Sequence, residues 1–199
     1  MTDRLDRQIH FIRELDRLKN VQRQTWLMDT SRKENSAEHS WHIAVMAMVL
    51  AEYAPGGDVD VGRVIQMLLV HDIVEIDAGD TFCYDESGVS GQHGREQAAA
   101  RRLFGLLPED IGRKFKALWE EFESRQTPEA LLANALDRLQ PILNNYYTDG
   151  KSWQDNGISR RQVRVRNRVM ADGAPELWAY IDNLLDRAVA KGILRPSAP

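Results

Sequence analysis

Apolar residues recur at helical spacing along nearly the whole chain, and this periodicity constrains the fold more than any other feature. In residues 175–190, for example, the apolar side chains fall on one face of a helix. The same spacing predicts helices over residues 3–19, 36–53, 61–75, 93–106, 109–124, 128–147, 159–170 and 175–190. Loops are predicted where glycine and polar residues cluster, over residues 76–92 and 148–157. No segment has the pattern of a strand. The sequence therefore predicts an all-α fold, a single domain of packed helices over residues 1–199.

Residues that commonly begin helices stand at three of the predicted helix starts. Asn35 is a favourable N-cap, and Glu38 three residues later completes a capping-box pattern. Asp60 is an N-cap of the same kind. Thr127 precedes Pro128, and proline is favoured at the first position of a helix. These signals indicate where three of the helices begin.

Composition excludes several classes of protein. The net charge of -4 argues against a general nucleic-acid binder, so no stable nucleic-acid partner is expected. The first residues lack the apolar region of a signal peptide, and no stretch approaches the roughly 20 apolar residues of a membrane span. The one cysteine, Cys83, excludes an intrachain disulfide. We expect no chemistry from Cys83, because no basic residue neighbours it in the sequence to lower its pKa. These features predict a cytoplasmic protein with no membrane contact.

The dipeptide His71-Asp72 stands at the end of an apolar run over residues 64–70. A histidine and a carboxylate at positions that the pattern assigns to the core cost free energy unless a partner compensates them. A metal ion is one such partner. Glu75 follows His71 by four residues and Asp72 by three, so a helix would place its side chain over the same spot. The three residues together predict a polar site in an apolar region.

Further ligands for a metal ion must come from other helices. His39 and His42 are three residues apart and share one face of the second predicted helix, so spacing leaves both as candidates. Asp137 is the best candidate from a later helix. Pro141, four residues further on, lacks the N–H that would normally bind the Asp137 carbonyl, so a kink is expected there. The residues alone leave open both the ligand set and the simpler alternative of buried polar groups that bind one another.

At these positions the chain resembles the HD-domain superfamily of metal-dependent phosphohydrolases. The H…HD…D pattern of that superfamily is matched by His39, His71-Asp72 and Asp137. Longer segments resemble the branch of the bacterial 5'-deoxynucleotidase and its eukaryotic relatives, at residues 35–40, 71–75, 79–80, 106–110 and 118–123. The resemblance covers roughly residues 10–145. It implies an HD-domain helical bundle, on which the C-terminal helices over residues 159–190 would pack.

The resemblance also implies a ligand set. His39, His71, Asp72 and Asp137 would bind one divalent cation, which leaves His42 a packing or supporting role. The mixed nitrogen and oxygen ligands suit Mn, Co, Fe, Zn or Mg and do not distinguish among them. Such a cation leaves coordination positions open, lowers the pKa of water and polarises a phosphate oxygen.

Four further residues receive roles from the same resemblance. Glu75 and Asp80 would be catalytic, as acid–base or water-positioning groups. Arg23 would bind the substrate phosphate, and Trp26 would provide an apolar wall for the sugar or base, with plain core packing as the alternative for Trp26. The resemblance further implies a small-molecule nucleotide substrate and a homodimer.

The leading functional hypothesis is therefore a metal-dependent phosphomonoesterase that removes the 5'-phosphate from (deoxy)ribonucleoside monophosphates. One alternative is a phosphodiesterase or pyrophosphohydrolase of a signalling nucleotide, because the same metal core serves all of these reactions. Another alternative is a non-catalytic module that senses a metal or a nucleotide. The presence of a single additional arginine, Arg23, favours a small monoester over a polyphosphate.

Residues 160–168 contain five arginines, which allow three interpretations. They can form a solvated or intramolecularly paired helix face, an electrostatic patch for a nucleotide or RNA, or a dimer contact. We favour the solvated or paired helix face, because clustered charge usually has this role.

Overall fold

The computed structural model describes residues 3–84 and 91–197, and most of them are helical. The helices are α1 (Asp3–Leu15), α2 (Ser36–Leu50), α3 (Val61–Val70), α4 (Glu75–Ala78), α5 (Gln92–Gly105), α6 (Glu109–Ser124), α7 (Pro128–Tyr147), α8 (Lys151–Asp155), α9 (Arg160–Asn167), α10 (Met170–Gly173) and α11 (Pro175–Ala190). Three 3-10 helices lie at Asp16–Asn20, Ala51–Tyr53 and His71–Val74. The predicted all-α class is confirmed. None of the described helices is both long enough and apolar enough to cross a membrane.

The predicted helix starts are confirmed by the hydrogen bonds that the capping side chains form. The side chain of Asn35 accepts a hydrogen bond from the backbone N–H of Glu38, whose carboxylate accepts one from the N–H of Asn35. Thr127 caps α7 in the same way by accepting from Ala130 N–H. Each cap satisfies backbone donors that the first turn of a helix leaves unpaired.

The prediction that the chain contains no strand is wrong at one place. Strand β1 (Gln22–Trp26) pairs antiparallel with β2 (Lys33–Asn35), with Gln22 opposite Asn35 and Trp26 opposite Lys33. Strands of five and three mostly polar residues are too short to show an alternating pattern in the sequence. The hairpin matters for function because it holds Arg23 and Glu34 beside the polar site.

The predicted helix over residues 61–75 is also divided differently. Helix α3 ends at Val70, a 3-10 helix covers His71–Val74, and α4 begins at Glu75 inside the expected helix and continues into the expected loop. The rest of that predicted loop includes residues 85–90, which lie outside the described residues. Apolar residues recur after His71-Asp72, at Ile73 and Val74, so periodicity gives no sign that the helix tightens. The tighter turn presents His71 and Asp72 together.

Three smaller predictions of boundaries are corrected in the same way. The first predicted helix ends at Leu15, and a 3-10 helix continues it. The predicted polar loop over residues 148–157 contains α8, and the predicted helix over 159–170 is divided into α9 and α10.

Helix α7 is the centre of the packing. It contacts α2, α3, α6, α10 and α11, and most of its residues are buried. Leu132 and Leu136 are fully buried on it. Helix α10 approaches α7 closely at Gly173, where an added Cβ would lie 2.1 Å from the backbone oxygen of Leu131. The C-terminal helices therefore pack directly on the helix that carries Asp137.

Candidate metal centre

The candidate ligands come from three separate elements and meet in the interior. His39 lies in the first turn of α2, His71 and Asp72 lie in the 3-10 helix after α3, and Asp137 lies in the middle of α7. One ligand atom from each of His39, His71 and Asp72 lies within 4.8 Å of the other two. Asp137 Oδ1 is 3.0 Å from His39 Nε2 and 3.7 Å from His71 Nε2. The structure thus brings together all four predicted ligands.

Both histidines are oriented by an acceptor on the other side of the ring. His71 Nδ1 donates to the backbone oxygen of Leu68 across 2.8 Å, and His39 Nδ1 donates to Gln140 Oε1 across 3.1 Å. In the neutral rings these bonds place the proton on Nδ1 and leave Nε2 unprotonated. Metal-binding histidines commonly show this arrangement. The two Nε2 atoms therefore face Asp72 and Asp137.

The contacts of His71 Nε2 test whether a cation fits between these groups. This atom is buried and has no hydrogen-bond partner in the described part of the chain, although Asp72 Oδ1 is only 2.9 Å away. Burial opposes a charge on His71, but the carboxylates of Asp72 and Asp137 raise its pKa well above the ordinary value. A divalent cation can replace that proton and join the ring nitrogen to both carboxylates. The four residues fit such a cation.

Gln140 and Glu34 support His39, and no pattern in the sequence pointed to either residue. Gln140 Nε2 donates to Glu34 Oε1 across 2.5 Å, so the amide orientation that accepts from His39 is fixed. Burial raises the pKa of Glu34 to about 7, although Arg23 opposes the shift. His42 Nδ1 lies 3.4 Å from Gln140 Nε2. His42 thus contacts the amide that supports His39, and its packing or supporting role stays a prediction.

Arg23 extends from β1 into the same cluster of carboxylates. Its Nη1 donates to Asp72 Oδ2 across 3.0 Å and lies 3.9 Å from Asp80 Oδ1. Its Nε is 3.5 Å from Glu34 Oε2. Burial alone would lower the pKa of Arg23, but Asp72, Glu75 and other nearby carboxylates raise it. The guanidinium therefore keeps its positive charge beside the candidate metal centre.

Glu75 and Asp80 stand next to the ligands, as predicted. Glu75 is buried at the start of α4, and its Oε2 accepts a hydrogen bond from Ser36 Oγ across 2.6 Å. Burial, together with the charge of Asp72, raises the pKa of Glu75 well above the ordinary value. Burial likewise raises the pKa of Asp80. Raised pKa values at carboxyl groups in a cleft are typical of groups that move protons.

A cavity of about 380 Å³ opens beside these residues. His71, Asp72, Glu75, Asp80, Asp137 and Arg23 line it. Apolar side chains form another part of its wall, namely Phe82, Trp119, Phe122, Trp153 and Ile158. A cavity of this size and mixed character is suited to a small organic ligand.

Trp26 is not among the residues that line this cavity. Its ring instead lies beneath Lys151 Nζ, 4.3 Å from the ring centroid, and its backbone oxygen accepts a hydrogen bond from Asn144. The described structure thus supports the packing alternative for Trp26. Trp119 and Trp153, instead of Trp26, form part of the apolar wall of the cavity. Trp153 lies outside the region of resemblance, so no sequence signal pointed to it.

The reason for expecting no chemistry from Cys83, the lack of a basic neighbour, needs a correction. Cys83 lines the cavity, and burial raises its pKa, but Arg166 and Arg138 act in the opposite direction. Basic partners therefore do exist, although they are distant in sequence. Burial dominates, so the thiol is not activated.

A second group of residues in the cavity wall contains His93, Glu96 and Glu123. One ligand atom from each lies within 4.8 Å of the others, and all three are less buried than the first group. Side-chain amides already contact two of them, since Gln92 donates to Glu96 and Gln97 lies 3.0 Å from His93. This group is a polar part of the wall.

Two arginines in the segment 160–168 form intramolecular ion pairs. Arg160 lies 2.8 Å from Asp186, and Arg164 lies 3.1 Å from Asp182, both on α11. The preferred interpretation of paired charge is confirmed for these two residues. Arg166 is different, because it lines the cavity.

Comparison with known proteins identifies the family. The family model described as "HD domain" matches residues 15–178, which is most of the chain. This chain belongs to the HD-domain family. The match extends beyond the region of roughly residues 10–145 that the sequence resemblance covered, and it includes α8 to α10.

Several relatives have names or descriptions that bear on function. The human protein named 5'-deoxynucleotidase HDDC2 is 34% identical over 136 residues, which is 68% of this chain and 65% of the human protein. This chain thus matches slightly less than two thirds of that relative's length. A 5'-deoxynucleotidase of Yersinia pseudotuberculosis is 27% identical over 192 residues, covering 88% of this chain and 96% of the relative.

A crystal structure from Magnetospirillum magnetotacticum MS-1 has the same architecture. It is 52% identical in sequence, with a TM-score of 0.92 over 97% of this chain and 96% of that one. It is described as a predicted metal-dependent phosphohydrolase. The PH0347 protein from Pyrococcus horikoshii OT3, at 23% identity and a TM-score of 0.61, shares the fold.

Proposed function

We propose that this chain is a divalent-metal-dependent phosphohydrolase that removes the 5'-phosphate from deoxyribonucleoside or ribonucleoside monophosphates. The observation that carries the proposal is the buried Nε2 of His71, which has no hydrogen-bond partner in the described residues and faces Asp72 and Asp137. Relatives named 5'-deoxynucleotidase support the choice of substrate.

In this proposal His39, His71, Asp72 and Asp137 hold one cation, of Mn, Co, Fe, Zn or Mg. When bound, the cation supplies positive charge for the phosphate and makes water more acidic. Gln140 and the backbone oxygen of Leu68 orient the two imidazoles toward it.

Arg23 binds the substrate phosphate. Its charge is held among carboxylates, and its Nε is buried without a hydrogen-bond acceptor in the described residues, so it has a donor available. A positioned guanidinium stabilises the negative charge that a phosphoryl group carries during transfer.

Glu75 and Asp80 move the protons that hydrolysis requires. A water molecule must lose a proton as it attacks phosphorus, and the departing sugar oxygen must gain one. Both carboxyl groups line the cavity, and burial raises the pKa of each above its ordinary value, as suits groups that exchange protons during catalysis. Ser36 fixes the orientation of Glu75 through its hydrogen bond.

We also propose that the protein forms a homodimer through the outer face of α2. Trp41, Val45, Met48 and Val49 lie on this helix and are exposed, with Met48 69% accessible. A contiguous apolar helix face of this kind is typical of a contact surface. The expected result of light scattering is a dimer for the wild type and a monomer for Met48→Lys. A matched control is Val165→Lys on α9, which also replaces an exposed apolar residue and should remain dimeric.

The cytoplasmic location and the single-domain organisation remain predictions from the sequence.

A hydrolysis screen tests the proposed activity, with inorganic phosphate measured directly and nucleotide products separated by chromatography, because hydrolysis of a diester releases no inorganic phosphate. Purified protein is incubated with a panel of nucleoside 5'-monophosphates, cyclic dinucleotides and nucleoside polyphosphates, each with Mn, Co, Fe, Zn or Mg. We expect release of inorganic phosphate from 5'-monophosphates with at least one metal. Turnover of the diesters or polyphosphates alone, or of no compound with any metal, would overturn the proposal.

A further inference from the structure

Arg138 is a buried arginine in the cavity wall that forms no ion pair within the described residues. It follows Asp137 on α7, lines the cavity and is only 8% exposed. Its one hydrogen bond within the described residues runs from Nη1 to the backbone oxygen of Arg166 across 3.3 Å. Its Nε is buried without a partner there, and no carboxylate of the described chain forms an ion pair with it. A buried charge in this condition is costly, so a missing anion is the natural partner.

Arg166 adds a second positive charge at the same place. It lines the cavity from α9. Burial lowers the pKa of the Arg138 guanidinium, and the charge of Arg166 lowers it further, whereas Asp137 acts in the opposite direction. Two like charges that face one cavity repel each other. A bound anion would convert this repulsion into attraction, and guanidinium groups match the geometry of phosphate oxygens.

Three other arginines near this region already have acidic partners. Arg23 contacts Asp72, while Arg160 and Arg164 pair with acidic residues of α11. Among the arginines that line the cavity, Arg125, Arg138 and Arg166 have no ion pair with a carboxylate of the described structure, and of these Arg138 and Arg166 are joined by a hydrogen bond. From the sequence alone, Arg23 was the one arginine expected at the substrate, which favoured a substrate with one phosphate. The structure adds Arg138 and Arg166 to the arginines that line the cavity.

We propose that Arg138 and Arg166 bind a second phosphate group of the substrate, so that the preferred substrates are nucleoside bisphosphates with one cleavable 5'-phosphate. This inference rests on the proposed phosphohydrolase function and specifies its substrate class. The 5'-phosphate lies at the cation with Arg23, and the second phosphate lies at the Arg138–Arg166 pair. The cavity of about 380 Å³ is within the range of pockets that hold small ligands.

A purely structural role for Arg138 is the competing explanation. Its bond to the backbone oxygen of Arg166 lies at the C-terminal end of α9, where a cation stabilises unpaired carbonyl groups. Arg166→Gln separates the two roles, because it removes the side-chain charge and keeps the backbone oxygen that Arg138 binds. Arg168→Gln is the matched control, since Arg168 is exposed just beyond α9 and does not line the cavity.

The first test compares KM for a deoxynucleoside 5'-monophosphate with KM for the matching 3',5'-bisphosphate. For the wild type and Arg168→Gln, we expect a KM at least tenfold lower for the bisphosphate. In Arg166→Gln and in Arg138→Gln this preference should fall by about tenfold. A wild type without the preference, or an Arg166→Gln protein that keeps it, would overturn the inference.

A second test does not depend on turnover. Cys83 is the one cysteine of the chain and lines the cavity within the influence of Arg166 and Arg138, so its alkylation rate reports on this place. Inorganic phosphate should slow the reaction of Cys83 with iodoacetamide severalfold in the wild type and in Arg168→Gln. It should have little effect in Arg166→Gln. Equal protection of all three proteins would contradict an anion site at Arg166.

The two tests together separate the inference from the function on which it rests. Protection of Cys83 without hydrolysis of any nucleotide would refute the proposed activity and the substrate class, and would leave only an anion site at Arg138 and Arg166. Hydrolysis of monophosphates without preference or protection would support the activity and refute the anion site.

Discussion

Gln140 accepts a hydrogen bond from the Nδ1 of His39 across 3.1 Å. The other end of the same amide donates to Glu34, so the amide cannot turn over without losing both bonds. His39 is thereby held with its Nε2 toward Asp137, 3.0 Å away. The position of a candidate metal ligand thus depends on a glutamine that does not itself face the cation.

Replacement of Gln140 by leucine should weaken metal binding. The imidazole of His39 would lose the acceptor that fixes its tautomer and orientation. Loss of such a supporting bond typically lowers metal affinity by about 10–100-fold. Competition with a chromophoric chelator measures the change. Gln154→Leu, at an exposed position on α8, should bind metal like the wild type, and an unchanged affinity in Gln140→Leu would refute this supporting role.

Replacement of Glu75 by glutamine should remove turnover and leave the metal bound. The amide keeps the shape of the side chain but cannot exchange a proton, and general acid–base groups contribute about 10²–10⁴-fold to rate. We expect kcat to fall by about that factor, with metal content by elemental analysis unchanged. A kcat within threefold of the wild type would show that Glu75 is not the proton-transfer group. Glu109→Gln, at an exposed position of α6, is the matched control.

The contact between α1 and α6 should depend on pH through Asp110. Arg4 Nη1 and Nη2 each donate to this carboxylate across 2.8 Å, and they lower the pKa of Asp110 to about 2. A carboxyl group whose pKa is lower in the folded state contributes stability above its unfolded pKa of 3.8. That contribution is lost as the pH falls from about 4 through 2. An NMR titration should show a midpoint near 2 in the wild type and near the ordinary aspartate value in Arg4→Gln. Equal midpoints would contradict the ion pair.

The N-cap of α7 should stabilise the helix that carries Asp137. Thr127 accepts from Ala130 N–H and donates to Glu121, and loss of an N-cap side chain costs about 1 kcal/mol. Urea unfolding should show a decrease of that size in Thr127→Ala. Thr127→Ser keeps the hydroxyl and should differ little from the wild type. If both variants lose the same stability, the hydroxyl is not the cause.

Helix ends were predictable where the sequence contains capping residues. Thr127 and Pro128 set the start of α7, and Asn35 with Glu38 set the start of α2. The break after Val70 was not predictable, because apolar residues recur after it, at Ile73 and Val74. Local chemistry is visible in a sequence, whereas a change from an α-helix to a 3-10 helix leaves no periodic signal.

The candidate site was predictable in part for a similar reason. The ligand residues are polar at positions that the pattern assigns to the core, so His71 and Asp72 stand out. Gln140 lies 101 positions from His39, and only the packing of α7 on α2 joins them. Arg166 was visible as charge, but its place at the cavity depends on how α9 packs. Trp26 shows the opposite case, a residue chosen by resemblance that the structure places outside the cavity wall.

The most direct test of the central claim measures bound metal and phosphate release in Asp72→Ala. Elemental analysis and a deoxynucleoside 5'-monophosphate assay are applied to this variant, to the wild type and to Asp77→Ala, an exposed acidic residue on α4. If the cluster holds the catalytic cation, the wild type and Asp77→Ala bind about one divalent metal per chain and release phosphate, while Asp72→Ala loses both properties. An Asp72→Ala protein that keeps its metal and its turnover would contradict the account.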